Sequence, residues 1–514
     1  MEAVSRIRRR VEMPAPYPAF SSAGSHPGRE KTGENTATLG RLEGWKELRT
    51  MERKDNFTQG AILPALTRFA LPVLLALFLQ AMYGAVDLQV VGNFGTAADI
   101  SAVSTGSQIL QTVTMVICGL AMGVTVLLGQ RIGEGRGDEG GKAVGAGIFF
   151  FTILSLLVTV GMLILAPQMS VLMRAPEDAF AGTVEYVRIC SAGMLFIVAY
   201  NLLGGIFRGI GDSRMPLITV AIACVLNIGG DLLLVGRCGL GVAGAAIATV
   251  LAQAVSVLLS LFIIRRRQLP FTMTRRDIRW DRAILRRVLA IGVPVAAQDF
   301  LVSISFLVII AIANDMGTIP SAGVGVAEKL CAFVMLIPSA FAQSMTAFVA
   351  QNVGARRMDR AGRALLCGIG LSLAVSIVVF WGVFFHGDLL SGIFADDAKV
   401  ILASAEYLKA YAIDCLLTSF LFSFIGYFNG CGRTVFTMLQ GLTGGFLCAA
   451  AGGLPDEPLC PRLPLRPGAL HSLLHGGADP ALRGVFPLPP PQRDPPINQA
   501  PAGRWSAGAF PDGD

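Results

Sequence analysis

From residue 67 onward, long apolar runs alternate with short polar breaks. An α-helix rises about 1.5 Å per residue, so roughly 20 apolar residues cross a hydrocarbon core of about 30 Å. On that measure the pattern predicts spans at 67–91, 101–128, 145–166, 181–206, 215–235, 241–264, 288–312, 321–349, 362–385 and 401–428, with a further one at 434–451. The predicted fold is all-α, a polytopic membrane protein.

The polar breaks repeat. Gln130–Ile148 reads QRIGEGRGDEGGKAVGAGI, and Gln351–Ile369 reads QNVGARRMDRAGRALLCGI. At a constant offset of 221, Gln130, Gly133, Arg136, Asp138, Gly141 and Ala143 fall on Gln351, Gly354, Arg357, Asp359, Gly362 and Ala364. The same offset pairs Glu185-Tyr186 with Glu406-Tyr407, and Phe207-x-Gly-x-Gly with Phe428-x-Gly-x-Gly. Three separate matches at one offset predict two six-helix lobes. An even number of helices returns the chain to its starting side. The lobes are then related by a pseudo-two-fold axis along the membrane normal, with a cavity between them.

The offset demands copies of the spans 215–235 and 241–264 near 436–456 and 462–485. The sequence there turns Pro-rich, with 14 of the 27 prolines between Pro455 and Pro511. Proline breaks helices, so the second lobe reads as incomplete. The tail is either the product of a shifted reading frame, the reading favoured here, or a disordered extension. The expected layout is a polar N-terminal extension over 1–60, a first lobe over 61–264, a basic cytoplasmic loop over 265–287, a second lobe over 288–447 and the tail over 448–514. Met51 reads as the natural start.

Composition agrees with a lipid solvent: 53% of residues are hydrophobic and only 15% charged, against about 25% charged in a soluble domain. The net charge of +7 sits in a few loops, a membrane-topology signal rather than a nucleic-acid one. Loop 265–287 holds nine arginines against two aspartates, while 92–100 and 313–320 hold no Lys or Arg. The alternation puts the N-terminus in the cytoplasm of a multi-pass plasma-membrane protein. The ten cysteines form no CxxC pair, which leaves no zinc or disulfide framework. His471 and His475 are four apart but lie in the tail. No cofactor is implied. Gly140-Gly141-Lys142 is followed by Ala143 rather than Ser or Thr, so there is no P-loop. A transporter built this way draws on an ion gradient, not on ATP, and no enzymatic activity is expected.

Carboxylates inside spans are costly, about 2.5–3.5 kcal/mol at a helix centre on insertion scales, so each needs a reason. They are Asp87, Asp231, Asp299, Glu328 beside Lys329, and Asp414. Counted from the span ends, Asp87, Asp231 and Thr249 fall at similar depth in the outer half. Asn227 shares a face with Asp231, as Tyr83 does with Asp87. Two carboxylates, an amide oxygen and a hydroxyl suit a sodium ion or a shared proton. The bland alternative is that both acids lie near the interface and are simply solvated. Asp299, with Gln298 before it, and Asp414 are candidates to hold a cationic ligand, or else form structural polar pairs.

The motifs MYGAVDLQVVGNFG (82–95), GQRIGEGR (129–136), YNLLGGIFRGIGDSRMP (200–216), LNIGGD (226–231), GVAGAAIATVLAQ (241–253), GVPVAAQ (292–298), FVAQNVGA (348–355) and YFNGCGRT (427–434) occur in this order. Together they make 51–447 resemble the multidrug and toxic compound extrusion (MATE) family. The resemblance implies twelve helices in two lobes and export of drugs and organic cations in exchange for sodium or protons. It implies a cation site at Asp87, Asn227, Asp231 and Thr249. Substrate contacts are expected at Tyr83 and Asn201 and, more weakly carried, at Gln298, Asp299 and Asp414. The expected partners are small-molecule substrates and the bilayer, with the chain as a monomer. Two other readings remain: a lipid-linked oligosaccharide flippase of similar fold, which should show a cavity rich in Arg and Lys, and a truncated transporter that does not work.

Overall fold

The structure is a computed structural model describing residues 57–452, apart from 268, 316, 317 and 396. The N-terminal extension up to residue 56 and the Pro-rich tail with His471 and His475 lie outside the described residues. Among the described residues, all regular structure is helical. The elements are α1 (Ile62–Phe94), α2 (Ala97–Gly133), α3 (Gly137–Leu172), α4 (Glu177–Ala192), α5 (Met194–Ile210) and α6 (Arg214–Asp231). A π-helical turn (Leu232–Arg237) then leads to α7 (Gly241–Arg266). The second repeat holds α8 (Arg282–Asp315), α9 (Thr318–Val334), α10 (Leu336–Gly354), α11 (Met358–Phe385), the short α12 (Gly387–Ser391), α13 (Ala398–Gly430) and α14 (Thr434–Gly452). Among the described residues, nine helices are long and apolar enough to cross a membrane, and the bent α4–α5 pair makes a tenth candidate.

One predicted span is sharply bent. The span at 181–206 bends by 60° between α4 and α5. The bend lies at Gly193, where a Cβ would overlap Val250 of α7, so α7 packs into the notch. The span at 321–349 is one crossing over Ala322–Gly354, with a one-residue interruption at Met335 between α9 and α10, where Pro338 has no N–H to continue the ladder. The predicted span 434–451 is helical as α14. The counterpart of α7 at offset 221 falls beyond residue 452, outside the described residues.

One core cluster lies in the first repeat, around Val91, Val103, Leu128, Phe151 and Met194. A second lies in the other repeat, around Val324, Leu408 and Tyr411. A third joins Leu66, Phe69 and Val73 of α1 to Phe348 and Ala361, so the first half of α1 packs on second-repeat helices. Arg360 anchors that junction. Its guanidinium donates to the carbonyls of Phe57 at 2.8 Å, Gln59 at 2.8 Å and Gly60 at 2.7 Å. The planar fork suits this three-way clamp and an ammonium would not. Bulky apolar side chains such as Leu157, Val160, Ile164, Val378 and Trp381 face outward, as a lipid solvent allows.

The repeat seen in sequence is a repeat in geometry. Gln130 Nε2 donates to the Gly430 carbonyl at 3.2 Å, and Gln351 Nε2 donates to the Gly209 carbonyl at 3.0 Å. All four positions are related by the offset of 221, so each half reaches across to the other in the same way. A Cβ on Gly133 would overlap the Gln351 carbonyl, and one on Gly354 would overlap the Gln130 carbonyl. Farther along the α2–α8 seam, Gly119 and Gly292 let backbones touch: a Cβ there would stand 2.6 Å from Ala296 Cα and from the Leu120 carbonyl, respectively.

The helix ends match too. The N–H groups of Gly135 and Arg136 bond the carbonyls of Ile132 and Arg131, and those of Arg356 and Arg357 bond Val353 and Asn352. This cap needs a left-handed residue. Gly135 supplies it at φ 73°, but Arg356 must adopt φ 58°. A left-handed L-residue costs roughly 1–2 kcal/mol, part of which glycine loses through its freer unfolded chain. Arg356→Gly is therefore expected to stabilise the fold by about 0.5–1 kcal/mol. Thermal unfolding in detergent checks this, and a lower melting temperature would contradict it.

The linker between the repeats is docked rather than loose. Arg267 pairs with Asp212 at 2.8 Å, and Thr272 donates to Asp138 at 2.6 Å. The Thr274 N–H and hydroxyl bond Asp277 and hold its carboxyl below the usual carboxylate range.

Candidate cation site

Four helices converge on the acidic residues of the first repeat. Helix α1 brings Asp87, α6 brings Asn227 and Asp231 one turn apart, and α7 brings Thr249 with Gln253 one turn on. Helix α4 adds Tyr186. Close packing makes this possible. The Tyr186 ring lies against Gly106, where a Cβ would stand 2.6 Å from its Cδ1, and a Cβ on Gly230 would stand 3.0 Å from that of Ala248. The α-helix gives way to the π turn immediately after Asp231, a distortion often found at functional sites.

The acids are buried within the protein. Asp87 is 5% exposed, Asn227 1% and Asp231 0%, which removes the reading in which they are simply solvated. The two carboxyls are close electrostatic neighbours. Asn227 Nδ2 donates to Thr249 Oγ1 at 3.3 Å. Tyr186 lies beside Thr249 and Asp87, and Tyr83 beside Asp87, Gln80 and Gln253. Asp87 Oδ1, both Asp231 oxygens, Asn227 Oδ1 and Gln253 Oε1 are buried without a donor among the described residues. Buried acceptors and charge without compensation are costly. A set of hard oxygen ligands around two acids is the chemistry a small cation or a proton would satisfy.

Tyr186 and Gln253 were not among the residues picked from the sequence. Tyr186 carried a signal, since it belongs to the Glu-Tyr pair repeated at Tyr407. Gln253 carried one too, four residues beyond Thr249 on the same face.

The other predicted positions lie elsewhere. Asn201 of α5 accepts from Cys118 Sγ at 3.2 Å and lines a small cleft with Gln80, Tyr200, Arg208 and Gln343. Asp299 of α8 approaches the same Cys118 from the second repeat. Gln298 is buried and packs on Gly441 of α14, where a Cβ would stand 3.0 Å from its Cγ. Asp414 is fully buried in α13. It neighbours Cys331, Tyr411 and Cys415 and is not among the residues lining the cleft. Glu328 approaches the same Cys331. The predicted substrate residues thus divide between the cleft and the interior of the second repeat.

Residues 72–233 and 294–448, one stretch in each repeat, match the MatE family profile. The chain belongs to the MATE family. Among relatives of this MATE protein, the probable multidrug resistance protein YpnP of Bacillus subtilis is 28% identical over 391 residues, covering 75% of this chain and 85% of that protein. The multidrug export protein MepA of Staphylococcus saprophyticus is 25% identical over 404 residues, covering 75% and 86%. A solved MOP superfamily transporter from Pyrococcus furiosus superposes with a TM-score of 0.76 at 22% identity, covering 84% of this chain and 96% of that one. A solved MATE bound to MaL6 gives a TM-score of 0.75 at 22% identity, with the same coverage. The two solved structures share the fold with this chain.

Proposed function

We propose that this MATE protein is a secondary active efflux antiporter for drugs and organic cations, driven by a sodium or proton gradient. It works as a monomer in the plasma membrane with its N-terminus in the cytoplasm. Relatives named as multidrug export proteins support the substrate class. The observation that carries the coupling is the buried pair Asp87 and Asp231, ringed by oxygens that lack donors.

In this reading Tyr83 links the cation site to the cleft, since it neighbours Asp87 and also Tyr200, which lines the cleft. Loading the site with sodium or a proton neutralises the pair and favours one arrangement of the lobes. Substrate in the cleft favours the other. The crossed Gln130 and Gln351 contacts close the end of the bundle that carries the basic loops and break when that end opens. The flippase alternative called for several basic groups in the cavity, and among the described lining residues Arg208 is the one cation.

Ethidium accumulation in cells stripped of their own pumps tests this. Expression of the chain should lower accumulation by several-fold under an imposed inward sodium or proton gradient, and whichever gradient works names the ion. Efflux that persists after both gradients are collapsed would sink the antiport reading.

A further inference from the structure

The cleft contains a charge that the cation site does not use. Arg208 lies in the last turn of α5. Side chains on a helix lean toward its N-terminus, and Arg208 follows that lean into the cleft. Its Nη1 stands 3.3 Å from where a Cβ on Gly204, one turn back, would be. The guanidinium therefore runs along the helix wall, over the space that Gly204 leaves bare. Tyr200 stands one turn further back on the same face, and its hydroxyl is buried without a partner. Gln80 of α1 and Gln343 of α10 line the opposite walls, one from each repeat.

No carboxylate lines the cleft among the described residues, and Arg208 has no acidic partner there. The electrostatic neighbours of its guanidinium are Cys118 and Tyr200. A half-buried guanidinium with no counter-ion is an expensive arrangement. A planar, forked donor beside a free hydroxyl and two amides is built to take two oxygens of one anionic group. Asp299 of the second repeat is a further electrostatic neighbour of Cys118 but is not among the residues lining the cleft.

We infer that Arg208 and Tyr200 form a subsite for the carboxylate of a small amphiphile. The inference concerns binding alone, so it stands or falls separately from ion coupling. Phospholipid phosphate offers the same anionic oxygens, and the experiment separates the two sources.

The test is fluorescence titration of the purified full chain in neutral detergent with dansylglycine and its uncharged methyl ester. Wild type should bind the acid at least about tenfold more tightly than the ester, the size expected of a charge-assisted hydrogen bond. Arg208→Gln should erase that preference while ester binding stays within about twofold, which also shows that the cleft is intact. Arg208→Lys should keep part of the preference, and Tyr200→Phe should lower it by several-fold. Equal binding of acid and ester by wild type, or a preference that survives Arg208→Gln, would overturn the assignment. So would phospholipid that co-purifies with wild type but not with Arg208→Gln, if it comes without an acid preference. That result would give the subsite to a lipid headgroup.

Discussion

Asp231→Asn is expected to abolish gradient-driven efflux and at the same time to stabilise the protein. The two effects have one cause. Asp231 is fully buried, its carboxyl neighbours that of Asp87, and neither of its oxygens has a donor among the described residues. In the proposed mechanism this frustration is useful, because it makes the site demand a cation. Folding does not need it. An amide keeps the shape, removes one of two like charges and supplies an N–H to Asp87. Relief of an unpaired buried charge is worth about 1–3 kcal/mol, a conflict between stability and function of the kind common at active sites. Drug resistance should fall to that of cells without the protein, and the melting temperature should rise. Asp87→Asn should act in the same direction. Asn227→Ala should do less to coupling and more harm to stability, since it also breaks the 3.3 Å bond to Thr249. Unchanged efflux in Asp231→Asn would remove the pair from the mechanism. Loss of both efflux and stability would make it a structural pair.

Much of this site was legible before any coordinates, for a specific reason. Asp87, Asn227, Asp231 and Thr249 stand out because polar groups are scarce in apolar spans, and counting from span ends gives their depth. Depth cannot say which face of a helix meets which neighbour. The sequence reading therefore could not choose between a buried pair and two solvated acids, nor see Tyr186 arriving from α4. Asp414 shows the opposite failure. It is as conspicuous as Asp231 in an apolar run, yet α13 turns it toward Cys331 and Tyr411 instead of the cleft. Arg208 was passed over because an arginine at a helix end reads as interfacial, and only the direction of its side chain over Gly204 places it in the cleft.

The fold was legible at the scale of spans and not at the scale of bends. Apolar length finds α4 and α5 as one crossing. The 60° bend follows from what packs against Gly193, and a glycine in an apolar run has many meanings. The repeat was the strongest signal, and it did more than count helices. Its invariant-looking loop positions turned out to be contacts: Gln130 with Gly430, Gln351 with Gly209, and the two glycines where the strands of chain cross.

Those glycines give the second large prediction. A single methyl at Gly133 or Gly354 is expected to force the repeats apart at the basic end of the bundle. A Cβ at either position would overlap a carbonyl oxygen of the other repeat's glutamine, and a backbone carbonyl cannot rotate away as a side chain can. The two hydrogen bonds are worth less. Each is neutral, contributing about 0.5–1.5 kcal/mol, so Gln130→Ala with Gln351→Ala should shift an open–closed equilibrium by roughly 5- to 150-fold and leave partial efflux. Gly133→Ala should exceed that, with efflux lost and the closed arrangement depopulated. Spin labels at the exposed positions 136 and 357 would show the difference as a lengthened distance in Gly133→Ala or Gly354→Ala, a mixture in the double glutamine variant and a single short distance in wild type. An unchanged distance in the glycine variants would mean that this seam yields elsewhere and is not the gate. The ordering of the variants matters most. A lock held by hydrogen bonds would make the glutamines the sensitive positions, whereas one held by backbone fit makes it the glycines, and the close approach of each glycine to the other repeat's glutamine carbonyl favours the glycines.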